Sequence, residues 1–425
     1  MSSHPCSPQR TKAAKVSREH ITLTDLESSV ALGMQRGITT VTFFRGKAKS
    51  SIVFIRKRLR AIVADNSWLA GRVVRVKDEK NLRLDFPSAA EGTYAVTDAT
   101  LDEMLQLDPP NLRIHSKISY IELRHNVVTS KAQLPKAKNL VNKQDLVLRI
   151  TIVSDAIDRE AGFAIVFSMS HNIGDGHTYY AIMNMISEGS EIKPLNTKRD
   201  PEVELRCQNA FKEEFAYISS FANMFSTFWK LYCLPQTDCH AYYVDKSRVE
   251  AAKTAAKERG ADYVSTNDVL ISTFGSLLNA RLCFMAMNLR NRVEGVTENN
   301  AGNHEGLLAL DESFYEQPEF IRTVLDEGPP FVAHGRSFPG ACEAASSRIV
   351  ISTNWSSFSR HIQLPDCDHV LQVPIVFCLF ESALIFAPRA NELAVLYGIR
   401  SMDRSRLCAV APLGPSVSAS LFEEA

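Results

Sequence analysis

The stretch from Leu146 to Gly176 constrains this chain most, because it holds two strand signals and a strand-to-helix junction in one short segment. Leu146, Leu148, Ile150 and Ile152 alternate with Arg149 and Thr151, the period of two expected of the first strand of a hairpin. Asp158 to Gly162 reads as a turn, and Phe163 to Met169 as a second, continuously apolar strand. That run ends on Ser170-His171-Asn172-Ile173-Gly174-Asp175-Gly176, and a helical segment follows from about Thr178 to Ile186. His171 and Asp175 are therefore expected where a buried strand gives way to a helix.

Such a junction suits acyl transfer from a thioester. The acceptor must lose a proton as it attacks, the tetrahedral oxyanion must be stabilised, and water must be kept out. Imidazole titrates near neutrality and can take the proton. Asp175, four residues later, can orient the ring or clamp the turn, and Gly174 and Gly176 permit tight backbone there. Taken alone, an H-x-x-x-D-G is only suggestive, since an aspartate near a buried histidine can be purely structural.

The rest of the chain supplies helix and strand signals in both halves. Leu23 to Leu32 reads as a helix, Val41 to Arg45 as a strand, and Ser51 to Ala64 as a helix with Ile52, Ile55, Leu59 and Ile62 on one face. Arg56, Lys57, Arg58 and Arg60 read as its solvated side. Phe211, Phe215, Phe221, Phe225, Phe228 and Tyr232 recur at helical spacing, which reads first as a buried helix face and alternatively as a membrane-surface contact. Ser247 opens an Ala/Lys-rich helix ending at Gly260, and Asn267 to Leu282 reads as another. Late strands are expected at Arg348 to Ser352, Val373 to Phe380, Ala383 to Phe386 and Leu393 to Ile399.

A chain of 425 residues exceeds what one hydrophobic core usually supports, so two domains are expected. Lys+Arg and Asp+Glu both number 48, a balance that argues against a nucleic-acid partner while allowing a local basic pocket for a phosphorylated cofactor. The nine cysteines are scattered singly and form no C-x-x-C pair, which reads as reduced thiols in the cytoplasm and offers no metal site. The polar N-terminus lacks the apolar core of a secretory signal, and no run is long enough to span a membrane.

Several further motifs occur in a fixed order around the histidine. Leu23-Thr24-Asp25-Leu26 and Trp68-Leu69-Ala70-Gly71-Arg72 precede it; Val264-Ser265-Thr266-Asn267-Asp268-Val269-Leu270, Asn288-Leu289-Arg290-Asn291-Arg292 with Gly302-Asn303, and Thr353-Asn354-Trp355 follow. Together with His171 to Gly176 they resemble the BAHD acyltransferases, within the superfamily of chloramphenicol acetyltransferase and the peptide-synthetase condensation domains. The resemblance spans roughly residues 20 to 410. One segment departs from it: where the family carries DFGWG and a following proline, this chain has Asp368-His369-Val370-Leu371-Gln372-Val373-Pro374, keeping only the aspartate and the proline. That puts loop shape and cofactor affinity in doubt more than the proton transfer.

The resemblance implies an α+β fold of two chloramphenicol-acetyltransferase-like domains, with mixed sheets flanked by helices and an active-site channel at their interface. The expected divisions are a tail at 1–19, domains at 20–190 and 211–425, and a crossover linker at 191–210. His171 would be the general base. Asp175 would point away from the substrate and pair with Arg290, or with Arg292, to hold the turn. Trp355, Thr353 and Gly176 would line the substrate site, Ser265 and Thr266 would contact coenzyme A, and Asp368 would play a structural part. Acyl-coenzyme A would be a co-substrate rather than a tightly bound cofactor, the acceptor a small molecule, and the protein a monomer. Each role has a plain alternative: Ser265 as a helix cap, Arg290 as a surface charge, Trp355 as core packing, and His177, His304 and His369 as incidental. Two other functions remain open, a condensation-like enzyme using a carrier-protein thioester and a non-catalytic ligand-binding relative.

Overall fold

The computed structural model describes residues 18–88, 97–235, 237–376, 381–400 and 412–417. The expected tail lies outside them up to residue 17; Arg18 and Glu19 instead open a strand, Arg18–Thr22. The α+β class expected from the sequence is the one observed, with three sheets flanked by helices.

The strand Gly162–Met169 is central in a five-stranded sheet whose order is Asp368–Pro374, Ile38–Arg45, Gly162–Met169, Leu148–Ser154, Leu105–Leu107. Its unbroken apolar run follows from position, because both faces of the strand are covered. Leu148–Ser154 is covered on both faces too, Thr151 included, and pairs antiparallel with Gly162–Met169 as the expected hairpin. One face packs on the helix Ala48–Asp65 through Ile55, Leu59 and Ile62. On that helix Arg58 is not simply solvated: its Nε donates to the Met185 carbonyl at 2.9 Å, behind the site helix Gly176–Asn184.

The other face meets the second large sheet. This has seven strands in the order Glu305–Leu310, Leu282–Asn288, Ile349–Asn354, Ser382–Phe386, Ala394–Ile399, Asp238–Val244, Leu413–Ser416. Val41, Phe43 and Val166 of the first sheet share one apolar core with Ala241, Leu384 and Leu396 of the second. The sheets do not divide at the expected linker: Asp368–Pro374, late in the chain, completes the first sheet by pairing antiparallel with Ile38–Arg45. The linker itself carries a helix, Pro201–Ala210, started by Asp200 and Pro201.

Three local expectations change. The helix expected at Leu23 to Leu32 is a single turn, Val30–Gly33, preceded by turns. Asn267 to Leu282 ends as a helix at Leu278, and Leu282 begins a strand, because Asn279 adopts a left-handed cap. The late strand starts earlier than Val373, at Asp368, and residues 377–380 lie outside the described set.

The largest correction concerns the aromatic helix. Phe221–Tyr232 forms as its periodicity predicts, but Phe221, Met224, Phe228, Trp229 and Tyr232 face outward, while Ser226 and Lys230 are the buried residues. Ser226 Oγ donates to the Ala344 carbonyl at 2.8 Å, fastening the helix by its small polar side. Burial pushes the Lys230 amine down to about 8. Periodicity states which residues share a face, not which face is covered. Phe228, 59% exposed, should therefore tolerate serine with a stability change within about 0.5 kcal/mol. The fully buried Phe167 should lose about 3–5 kcal/mol on truncation to alanine, both read by urea unfolding.

Candidate active site

The strand Gly162–Met169 delivers the chain to Ser170, and a turn carries His171 to the helix Gly176–Asn184. Asp175 is the helix cap: its Oδ1 accepts from the Thr178 amide at 2.9 Å. A Cβ on Gly174 would lie 2.6 Å from Thr178 Cγ2, so only glycine fits the inside of this turn.

The Asp175 carboxylate is gripped on its far side by Arg290, with Nη1 to Oδ2 at 2.7 Å and Nη2 to Oδ1 at 3.2 Å. Both side chains are almost wholly removed from solvent. Arg290 Nε also donates to the Asn300 carbonyl, and Nη2 to Thr178 Oγ1 and the Gly302 carbonyl. The His304 amide reaches Asp175 Oδ2 at 3.0 Å. Burial alone would push the Asp175 carboxyl up; the Arg290 charge and hydrogen bonds, with the Thr178 amide, outweigh it and hold the group at about 2. Asp175 thus faces Arg290 and is not in the hydrogen-bonding reach of the histidine ring.

That ring is oriented by a residue to which the sequence assigned no role. Asn303 Nδ2 donates to the His171 carbonyl at 2.8 Å, which turns its amide oxygen toward the ring, 3.0 Å from Nδ1. Facing an amide oxygen, Nδ1 is the donor of that contact. Asn303 is held in turn by Glu27, whose Oε1 accepts from the Asn303 amide at 3.1 Å. Glu27 is fully buried and paired with Arg199 at 2.9 Å, and Arg199 also donates to the Ala301 carbonyl. Gly302 has φ +136, and a Cβ there would stand 2.8 Å from Arg199 Cζ. Of this chain, Gly302-Asn303 was visible as a motif; Glu27 and Arg199 carried no local signal.

Glu305 flanks Nε2 of the ring. The His171 side chain is 14% accessible and that of Glu305 is 30%, and Glu305 Oε1 lies 4.0 Å from Nε2. Burial pushes the Glu305 carboxyl up, with the facing His171 opposing that shift.

The remaining expected residues fall as follows. Trp355 closes over the turn, with Nε1 at 3.4 Å from where a Gly176 Cβ would be, and packs edge-on to Tyr180. Thr353 lies two residues earlier on the strand Ile349–Asn354. Asn354 Nδ2 donates to Asn267 Oδ1 at 3.0 Å, joining the Thr353-Asn354-Trp355 segment to the helix start at Ser265 and Thr266. Ser265 forms a capping box there with Asp268, whose carboxylate is also paired with Arg322. Arg292 is exposed and is not the partner of Asp175.

Asp368 is exposed, and among the described residues its carboxylate has no side-chain partner. The loop before it is held by other means: His369 Nδ1 accepts from the Ile362 amide at 2.9 Å, His369 stacks on His361, and the pairing register shifts between His369 and Leu371. Among the described residues no group of His, Cys, Asp and Glu is arranged to hold a metal ion, and no helix is long and apolar enough to cross a membrane.

No protein-family model matches the chain, and no curated protein matches it in sequence. Solved structures do. The first condensation domain of the calcium-dependent antibiotic synthetase, in complex with a substrate analogue, is 16% identical with TM-score 0.58, covering 93% of this chain and 94% of its own. Vinorine synthase is 14% identical with TM-score 0.57, covering 98% and 96%. F. sporotrichioides TRI101, complexed with coenzyme A and T-2, is 14% identical with TM-score 0.57, covering 92% and 97%. What these neighbours share with this chain is the fold.

Two measurements check the electrostatics. Arg290→Met leaves the Asp175 carboxylate buried and unpaired, and should cost about 3–5 kcal/mol in urea unfolding, with Arg290→Lys costing less but not recovering the two-pronged contact. His304 is pushed down to about 4, first by burial and then by Arg290. Its folded value lies below the unfolded one, so its contribution is present above about pH 6.5 and is lost as pH falls toward 4. The fall in unfolding free energy over that window should be shallower in His304→Leu; an identical slope would contradict the assignment.

Proposed function

We propose that this chain is an acyltransferase that moves an acyl group from acyl-coenzyme A to an alcohol or amine, with His171 as general base. The single observation that supports it best is the ring's setting: Nδ1 held by Asn303 at 3.0 Å, on a side chain that stays 14% accessible. A base so held is pre-aimed.

In the reaction, the acceptor binds with its O–H or N–H on Nε2. Its lone pair attacks the thioester carbonyl carbon as the proton moves to His171, and the carbonyl electrons pass to oxygen. The oxyanion then collapses, the C–S bond breaks, and the departing thiolate takes the proton from His171. The indole N–H of Trp355, beside Gly176, and Thr353 are the side-chain donors we assign to the oxyanion side. Asp175 and Arg290 hold the turn and move no proton. Ser265 is occupied as a cap, which leaves Thr266 the freer donor to coenzyme A. Residues 20–190 and 211–425 would act as the two domains, joined by 191–210, in a cytoplasmic monomer.

Thermal-shift screening of acyl-coenzyme A donors, then acceptor profiling with free-thiol detection, tests this. His171→Ala should lower turnover by about 10²–10⁴-fold with melting unchanged; near-normal turnover would sink the assignment. Transfer from an acyl-loaded carrier protein but from no coenzyme A thioester would move the chain to the condensation-like reading. Tight ligand binding without transfer from any donor would make it a non-catalytic relative.

A further inference from the structure

The carboxylate of Glu305 is the feature that the proposed proton transfer does not use. It opens the strand Glu305–Leu310, opposite Asn288 in the antiparallel register, and this pairing sets it beside the turn that bears His171. Its Oε1 stands 4.0 Å from Nε2 of His171, beyond a hydrogen bond, and among the described residues no donor reaches it. The side chain keeps 30% of its surface open where the histidine keeps 14%. An acidic group thus stands beside Nε2 of the base, partly accessible and with no hydrogen-bond donor on it among the described residues.

We infer that Glu305 binds the acceptor and that the acceptor it selects is a primary amine, so that the acyl transfer proposed above forms an amide. The inference rests on that proposal and adds the substrate class. Its ground is the spacing. An atom hydrogen-bonded at about 2.8 Å to both Nε2 and Oε1 would subtend them at roughly 90°. Both are acceptors, so that atom must donate twice. A primary amine has two N–H groups and can do so. A hydroxyl has a single hydrogen; donating it to Nε2 leaves an oxygen lone pair facing the carboxylate, which repels it. The carboxylate also favours the approach of an ammonium group over neutral or anionic molecules.

The steps balance. The bound ammonium gives one proton to water and becomes the neutral amine, with one N–H on Nε2 and one on Glu305. As nitrogen attacks the thioester carbon, the C–N bond forms and His171 takes the first N–H proton. The oxyanion collapses, the C–S bond breaks, and that proton passes from His171 to the coenzyme A thiolate. The second N–H remains on the amide nitrogen and leaves with the product.

The test uses matched acceptors with the same skeleton: phenethylamine against 2-phenylethanol, and octylamine against octan-1-ol, with acetyl- and octanoyl-coenzyme A as donors. Products are read by mass spectrometry, and the spontaneous aminolysis rate is taken from mixtures without protein. The full-length wild type should prefer the amine of each pair in kcat/KM. Glu305→Gln should lower the amine-to-alcohol ratio about 10-fold and Glu305→Ala about 100-fold, mostly through the amine KM. Calorimetric titration of phenethylamine without donor should show binding to wild type that weakens in Glu305→Ala. A wild type that prefers the alcohols, a ratio unmoved in both variants, or equal phenethylamine binding would overturn the inference. Transfer to alcohols alone would leave the acyl-transfer reading standing and remove only the amine; no transfer to any acceptor would remove both.

Discussion

The structure depends on one buried ion pair. Asp175 and Arg290 come from opposite halves of the chain, and two charges withdrawn from water are costly unless their geometry is good and their other hydrogens are satisfied. Here every nitrogen of Arg290 has a partner: Asp175 twice, Asn288 Oδ1, Thr178 Oγ1, and the carbonyls of Asn300 and Gly302. The pair therefore acts as a rivet between the turn 171–176 and the loop 288–304. Since His171 is on that turn and Asn303 on that loop, the 3.0 Å contact that orients the imidazole inherits its precision from the rivet. Second supports of the same kind stand behind it, with Arg199 on Glu27 and Glu27 on Asn303.

How much of this was legible depends on whether the signal was local. The junction after Met169 could be read because a buried strand, a small-residue turn and a helix start follow each other in sequence. Arg290 could be named because it belongs to an ordered set of motifs. Glu27, Arg199 and Glu305 could not, since what matters about them is a tertiary neighbour: Glu305 reaches the histidine only through its register opposite Asn288. The strand Asp368–Pro374 was visible only in part, and its place in the first sheet was not, because a strand's partner at such separation leaves no trace in its own residues. The helix Phe221–Tyr232 had the right period and the wrong face, as burial is decided by what packs against it.

The departure at Asp368 to Pro374 shows the same division. The resemblance marked lost glycines as a threat to loop shape. The chain meets the need differently, with a histidine nitrogen accepting the Ile362 amide, the Ser187 hydroxyl accepting the Gln363 amide, and an irregular register between His369 and Leu371. The Ile362 and Gln363 amides are thus satisfied by side chains, and the strand reaches Thr40 in register at Pro374.

The two halves are joined at two places, and the joins bear on each other. The later half lends a strand to the first sheet, and lends the loop 288–304 to the turn that carries His171. Trp355, between these loans in space, packs against the core behind the site helix and against the core shared by the two sheets. Neither half alone contains an oriented imidazole: the earlier one has the ring without Asn303, and the later one has the amide without a ring to hold. The contacts between the two halves are therefore the contacts that orient the ring, and the Glu305 carboxylate, 4.0 Å from Nε2, is the one acidic group beside it that takes no part in them.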